Sequence, residues 1–195
     1  SYSFGRGTLG FLGDNETVYF QSEETGYSHL YTYNLKSKKK TQLTKGNWEV
    51  RNVNLSKDKK SFYLTTTTTH PGNRDFYKLE VANAVLQPIL TKDGAHEVSL
   101  SPDESTLIVR YSYKNKPWEL YVAANKKNTT LSQITSSTTE SFKKYDWREP
   151  DVITFKAQDG IPVNARLYKP QTGKANKAAI LFVHGAGYLQ NAHNY

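Results

Sequence analysis

The chain of 195 residues contains no cysteine and no methionine. The first absence removes disulfides, thiolate metal ligands and a cysteine nucleophile together, and it fits the cytosol, the periplasm or the exterior equally. The second, with Ser1 at the start, leads us to expect a segment of a longer translation product. Long apolar runs are also lacking: no window approaches the roughly 18 consecutive apolar residues that cross a membrane, and no signal peptide is visible. A sustained 3.6-residue apolar period is missing too, so helices are not the main building element.

What the chain has is aromatic and basic. Fourteen Tyr, eight Phe and three Trp give a core weighted toward β structure, although mean hydropathy is only −0.71. A formal net charge of +8 raises the question of a nucleic-acid partner. The lysines fall at Lys36 to Lys40, Lys57 to Lys60 and Lys126 to Lys127, each between apolar segments where lysine solvates a hairpin tip. A dispersed charge of this kind points away from nucleic acid, which needs one basic face. His29, His70, His96 and His193 show no i, i+4 pairing or carboxylate cluster, so neither a metal nor another cofactor is expected.

An internal repeat organises the first three quarters. Turn residues at Asp14-Asn15, Lys57-Asp58-Lys59 and Pro102-Asp103-Glu104 precede apolar segments, the aspartates in steps of 44 and 45. An apolar residue followed by Tyr recurs at Leu30-Tyr31, Phe76-Tyr77 and Leu120-Tyr121, and an apolar residue followed by Thr at Leu43-Thr44, Leu90-Thr91 and Ile134-Thr135. Three markers in one phase, at a period of about 45 with short strands between turns, predict three four-stranded propeller blades. The five threonines Thr65 to Thr69 favour extended backbone.

The repeat stops after Ser141, and Trp147-Arg148-Glu149-Pro150 marks a boundary, because proline holds the residue before it in extended geometry. We therefore divide the chain into residues 1–146, propeller blades, and 147–195, the start of a second domain. In the second part, Ile153, Phe155 and Ala157 alternate on one segment and Ile161, Val163, Ala165 and Leu167 on another, joined at Asp159-Gly160, a hairpin signal. Ala178 to Val183 is then an unbroken apolar run, the pattern of a strand buried on both faces. It breaks into His184-Gly185-Ala186-Gly187-Tyr188, where glycines let backbone N–H groups point at a developing negative charge, as in an oxyanion loop. The same residues also fit a strand followed by a loop without chemistry.

Several phrases carry a more specific likeness. Ser22 to Tyr31, Leu43 to Val50, His70-Pro71-Gly72-Asn73-Arg74-Asp75-Phe76-Tyr77 and Lys116-Pro117-Trp118-Glu119-Leu120-Tyr121 resemble the last propeller blades of bacterial dipeptidyl peptidase IV-like proteins, within the prolyl oligopeptidase family of serine peptidases. The resemblance implies a mainly β chain: a partial β-propeller followed by the first strands of an α/β-hydrolase domain. It further implies a peptide substrate, release of N-terminal dipeptides after Pro or Ala, a periplasmic or secreted location, and room for a homodimer.

The family's Ser, Asp and His lie downstream of the Gly-rich loop, so the triad is not expected in this chain. Gly26-Tyr27-Ser28-His29-Leu30 has Leu where a Gly-x-Ser-x-Gly elbow needs its second Gly, and Ser28 is not a nucleophile. Glu23-Glu24 reads as a solvated turn and not as the family's paired glutamates. The family places an oxyanion-donating Tyr at the end of the buried strand, and His184 stands at that position. The oxyanion-loop candidates are therefore His184, Gly185 and Tyr188. The competing reading is a non-catalytic periplasmic propeller that binds protein or peptide.

Overall fold

A computed structural model describes residues 7–170, 178–185 and 191–195. Twelve strands form three four-stranded antiparallel sheets in simple sequence order. The first sheet is β1 (Leu9–Phe11), β2 (Thr17–Ser22), β3 (His29–Asn34) and β4 (Lys40–Gln42); the second is β5 (Val50–Leu55), β6 (Ser61–Thr66), β7 (Asp75–Glu80) and β8 (Leu86–Leu90). The third is β9 (Ala95–Leu100), β10 (Thr106–Tyr113), β11 (Lys116–Ala124) and β12 (Ser132–Gln133). These are the three expected blades.

The sequence markers take the same place in every copy. Each Asp of the first marker sits in the turn between a blade's first two strands, and the residue after it, Asn15, Lys59 or Glu104, adopts φ of 54°, 59° or 59°. A non-glycine residue holds that left-handed region only with local support. The support is an aspartate carboxylate that accepts the N–H two residues on: Asp14 from Glu16 at 3.0 Å, Asp58 from Lys60 at 3.0 Å and Asp103 from Ser105 at 3.1 Å. The apolar-Tyr pairs lie on β3, β7 and β11, the third strand of each blade. In the outer blades the threonines tie the fourth strand back to the third: Thr44 Oγ1 accepts from Leu30 N–H at 2.9 Å and Thr135 Oγ1 from Leu120 N–H at 2.8 Å.

The core lies between neighbouring blades. Leu12, Leu30, Leu43, Val50, Phe62, Leu64 and Leu79 fill the space between the first and second. Tyr63, Phe76, Ile89, Leu90, Leu107, Val109, Tyr111 and Ala123 fill that between the second and third. On β6, Phe62 and Leu64 point one way and Tyr63 the other, and all three are buried because this sheet is covered on both faces. From Leu107 to Tyr111 on β10 burial alternates: Leu107 is 0% exposed and its neighbour Ile108 42%. The second core therefore has one lining from each blade, whereas the far face of the third blade is open.

The first-to-second-strand turns of adjacent blades touch, as Lys57 N–H donates to Glu104 Oε1 at 2.7 Å. The lysine groups gather at this end, in the turns after β3, β5 and β11, interleaved with Asp14, Glu16, Asp58, Asp103 and Glu104. Lys36 pairs with Glu16. Among the described residues no helix is long and apolar enough to cross a membrane.

Beyond the blades, a single helical turn, α1 (Glu140–Lys143), is capped by Thr139, whose Oγ1 accepts from Phe142 N–H at 3.1 Å. It is too short to register as a period. A hairpin follows, β13 (Asp151–Lys156) with β14 (Pro162–Leu167), in which Ile153 faces Ala165 and Phe155 faces Val163. Its turn is looser than the two-residue form that Asp-Gly suggests. Ala157 N–H donates to Ile161 O, Asp159 Oδ1 accepts from Ile161 N–H, and only Gly160 takes positive φ, at 84°.

One expectation is corrected. Residues 178–183 form no strand, and Ile180, Leu181, Phe182 and Val183 are exposed, Ile180 fully. A strand buried on both faces needs a sheet neighbour and a layer over each side. The described residues after the blades supply only the two-stranded hairpin, whose own apolar side chains are exposed, Phe155 at 51%.

Candidate functional site

Of the three oxyanion-loop candidates, His184 and Gly185 are described, and Tyr188 lies outside the described residues. His184 Nδ1 is 2.8 Å from Gly185 O. A carbonyl only accepts, so this nitrogen carries the proton and donates it to the backbone. In this arrangement a neutral His184 presents a bare Nε2 outward, which cannot donate to an anion. A Cβ built on Gly185 meets nothing within 4 Å, so glycine is not required there by packing. Ser28 is buried in the first blade, its N–H donating to Glu49 Oε2 at 2.8 Å, and Glu23 and Glu24 lie in an exposed turn.

The structure builds a more ordered arrangement at the blade end opposite the lysines, where residues 191–195 return to the blades. Asn194 N–H donates to Gly72 O at 3.0 Å, and Asn194 O accepts from Lys114 N–H at 2.6 Å. Asn194 Nδ2 donates to Asn73 Oδ1 at 2.8 Å. Ala192 is buried. Tyr195 lies beside Trp118, ring centroids 5.9 Å apart, and under the Arg74 guanidinium at 5.7 Å.

The receiving loop is held from within the second blade. Asn73 is fully buried and uses its whole amide: Nδ2 donates to Thr69 Oγ1 and Asp93 Oδ1, and Oδ1 accepts from Gly94 N–H as well as from Asn194. Thr69 in turn donates, by N–H and hydroxyl, to the buried Asp75 at 2.8 Å. Burial pushes the Asp75 carboxyl above its ordinary range, and the hydrogen bonds from Thr69 oppose that shift. The end of the threonine run thus reads as part of this network.

Between the second and third blades, beside Tyr195, opens a cleft of about 380 Å³ lined in part by Asn52, Arg74, His96, Glu97 and Trp118. Arg74 donates to Asn73 O at 2.8 Å, and burial lowers its pKa. His96 stacks on Tyr111 with centroids 4.6 Å apart and hydrogen-bonds Arg74 O through Nδ1 at 2.8 Å. Burial lowers its pKa to about 4, so it is neutral at pH 7 with the proton on Nδ1. A larger depression of about 460 Å³ over the third blade has Lys126 as its one ionisable lining residue and offers less chemistry. Among the described residues no group of three His, Asp or Glu could hold a metal ion.

Sequence reasoning missed the role of Gly72, Asn73, Arg74 and Tyr195. The phrase His70 to Tyr77 was specific enough to draw notice, but nothing in it says that residues 120 positions later return to it.

Residues 4–118 match the family model described as the dipeptidyl peptidase IV N-terminal region. Dipeptidyl peptidase 4 of Arthroderma otae is 28% identical over 182 residues, 89% of this chain and 23% of that protein. Dipeptidyl peptidase 4 of Trichophyton rubrum is 27% identical over 174 residues, 87% of this chain and 22% of that protein. An uncharacterized peptidase, YuxL, of Bacillus subtilis (strain 168) is 27% identical over 142 residues, 72% of this chain and 21% of that protein. The chain spans less than a quarter of the length of these relatives.

Proposed function

Since the chain belongs to the dipeptidyl peptidase IV family, we propose that it is one segment of a serine exopeptidase: the last propeller blades, residues 1–146, joined to the first strands of an α/β-hydrolase domain, residues 147–195. The whole enzyme releases N-terminal dipeptides after Pro or Ala, from a periplasmic or secreted location. The observation that carries this reading is continuity. Similarity to dipeptidyl peptidase 4 runs over 89% of the chain, past the blades and into the part that holds the hairpin and the Gly-rich loop.

The chemistry assigned to this segment is binding and charge stabilisation. A serine in the remainder of the enzyme attacks the peptide carbonyl, and N–H groups or side chains of 184 to 188 hold the oxyanion. For a neutral His184 to take part, its Nδ1–H must leave Gly185 O, or the tautomer must change so that Nε2 donates. Tyr188 and the backbone N–H groups are the rival donors. No Gly-x-Ser-x-Gly elbow occurs in the 195 residues, so the nucleophile is assigned outside them.

The test compares the whole enzyme with the 195-residue chain on an Ala-Pro chromogenic substrate, alongside labelling by a serine-directed fluorophosphonate. The expected result is cleavage and labelling by the enzyme and neither by the chain alone. A whole protein that binds peptides without cleaving them or taking the label would establish the non-catalytic propeller instead.

A further inference from the structure

We propose that the cleft between the second and third blades, with Arg74 in its wall, binds a carboxylate carried by a peptide. The ligand class, a peptide, rests on the peptidase reading; the carboxylate follows from the cleft itself. Arg74 is partly buried, and its Nη1 donates only to backbone oxygens, Asn73 O at 2.8 Å and Pro71 O at 3.4 Å. One face of the guanidinium lies over the Tyr195 ring at 5.7 Å. Nε and Nη2 donate to nothing among the described residues, and Arg74 forms no ion pair with them. Residues 1–6, 171–177 and 186–190 contain no Asp or Glu, so no side-chain carboxylate of the chain pairs with this cation.

The acids beside it are already engaged. Asp75 takes Thr69 N–H and hydroxyl, and Glu97, which lines the cleft, pairs with Arg110 at 2.7 Å. Burial lowers the pKa of Arg74 and the like charge of Arg51 adds to the shift, with Tyr195 and Asp75 opposing, so an incoming anion relieves a cost that the fold leaves standing. A guanidinium with its edge unused is a receptor for the two oxygens of a carboxylate. His96 fixes the base of that receptor: its backbone N–H and Nδ1–H both donate to Arg74 O, at 3.1 and 2.8 Å. Its Nε2 is then an acceptor without a partner, in a side chain 1% exposed. A donor edge and a bare acceptor lining one cleft suit a ligand that brings an N–H with its carboxylate, as a peptide does and an inorganic anion does not. Trp118 and Tyr195 add apolar surface, and the volume of about 380 Å³ falls in the range of small-ligand sites.

The experiment titrates the whole enzyme calorimetrically with peptides whose acetylated N-terminus prevents release of a dipeptide. The probes are Ac-Ala-Gln-Ala as its free acid, the same peptide as its amide, and Ac-Ala-Glu-Ala amide, with acetate and inorganic phosphate as bare anions. The variants are Arg74→Gln, Arg74→Lys and, as the control, Lys126→Gln, which removes a cation from the depression over the third blade. Thermal midpoints are measured beside each titration.

A carboxylate peptide is expected to bind about 10- to 100-fold more tightly than Ac-Ala-Gln-Ala amide: the free acid if the source is a chain end, the Glu peptide if it is an acidic side chain. Arg74→Gln should erase that preference. Arg74→Lys should keep part of it, because the charge remains and the planar fork does not, and Lys126→Gln should leave it whole. Equal affinity for the three peptides, or a preference that survives Arg74→Gln, overturns the site. If Arg74→Gln loses its fold, the wild-type comparison and Arg74→Lys decide. Acetate or phosphate bound as tightly as the carboxylate peptide overturns the peptide assignment. Cleavage of the Ala-Pro substrate without any carboxylate preference sinks this site alone, whereas the preference in a protein that cleaves nothing keeps the site and removes the peptidase reading.

Discussion

Phe62 and Phe155 both occupy interior positions of antiparallel strands with apolar neighbours on the same face. The first is fully buried and the second half exposed. Phe62 has a blade on either side of its sheet and an edge-on contact with Tyr19 at 4.9 Å, whereas Phe155 belongs to a hairpin that no described layer covers. Local sequence decides that a strand forms and with which partner it pairs. What lies over its face is decided by the rest of the molecule. The three blades cover one another, while the β13–β14 hairpin pairs correctly and remains open, and residues 191–195 return to the second and third blades.

The largest effect should fall on that contrast directly. Removing a buried phenyl ring costs about 3–5 kcal/mol, because the lost transfer energy is joined by the cavity left behind. Phe62→Ala is therefore expected to lower the unfolding free energy of the blades by that amount, and Phe155→Ala to change it by less than about 0.5 kcal/mol, as surface substitutions do. Denaturant titrations of both variants decide it. Equal losses would mean that the hairpin face is covered in solution, by a second copy or by a segment beyond the described residues.

The next effect concerns histidines in the two regions. Burial holds His96 near pKa 4 against 6.5 in the unfolded chain. Its folded value is depressed, so the neutral form belongs to the fold: the stability is complete above pH 6.5 and is lost as pH falls toward 4. Over that window the unfolded state binds one more proton, a slope of about 1.4 kcal/mol per pH unit and about 3 kcal/mol in all. His96→Phe keeps a ring against Tyr111 and should flatten the slope. A slope that survives assigns the acid sensitivity elsewhere. His193, in the docked segment, is also lowered, first by burial and then by Arg166. Its NMR titration is expected below the ordinary range in wild type and closer to it in Asn194→Ala, if docking is what covers it.

These contrasts show what could be read from the residues. The blades were legible because each copy repeats its own turn chemistry, an aspartate that caps the turn and a left-handed residue after it, and because in the outer two a threonine closes the fourth strand. The hairpin was legible from alternation and Asp159-Gly160, although its turn is longer than expected because Ala157 and Ile161 close the loop between them. The buried strand at 178–183 was read from apolar content alone, and apolar content cannot provide the layers that bury it. The docking of Asn194 on Gly72 and Asn73 was invisible because it joins residues far apart through backbone groups, which every sequence carries alike.

The smallest expected effect separates the turns themselves. In the blade turn the Asp103 carboxylate accepts from Ser101 Oγ at 2.5 Å, from Ser105 N–H and from Ser105 Oγ; in the hairpin turn Asp159 accepts from Ile161 N–H alone. The Ser101 hydroxyl, followed by the two Ser105 donors, draws the pKa of Asp103 from 3.8 to about 2. Its folded value is depressed, so the contribution is present above pH 3.8 and fades as pH falls through about 2, where the folded carboxylate is at last protonated. Asp103→Asn keeps an acceptor oxygen but loses the charge that favours all three donors. It should lower the thermal midpoint slightly at neutral pH, and the gap to wild type should close between pH 4 and 2. Asp159→Asn, where Ile161 N–H is the donor shown, should lower the midpoint less at neutral pH. A gap of equal size in both turns would mean that net charge, and not the hydrogen-bonded geometry repeated in every blade, sets the difference.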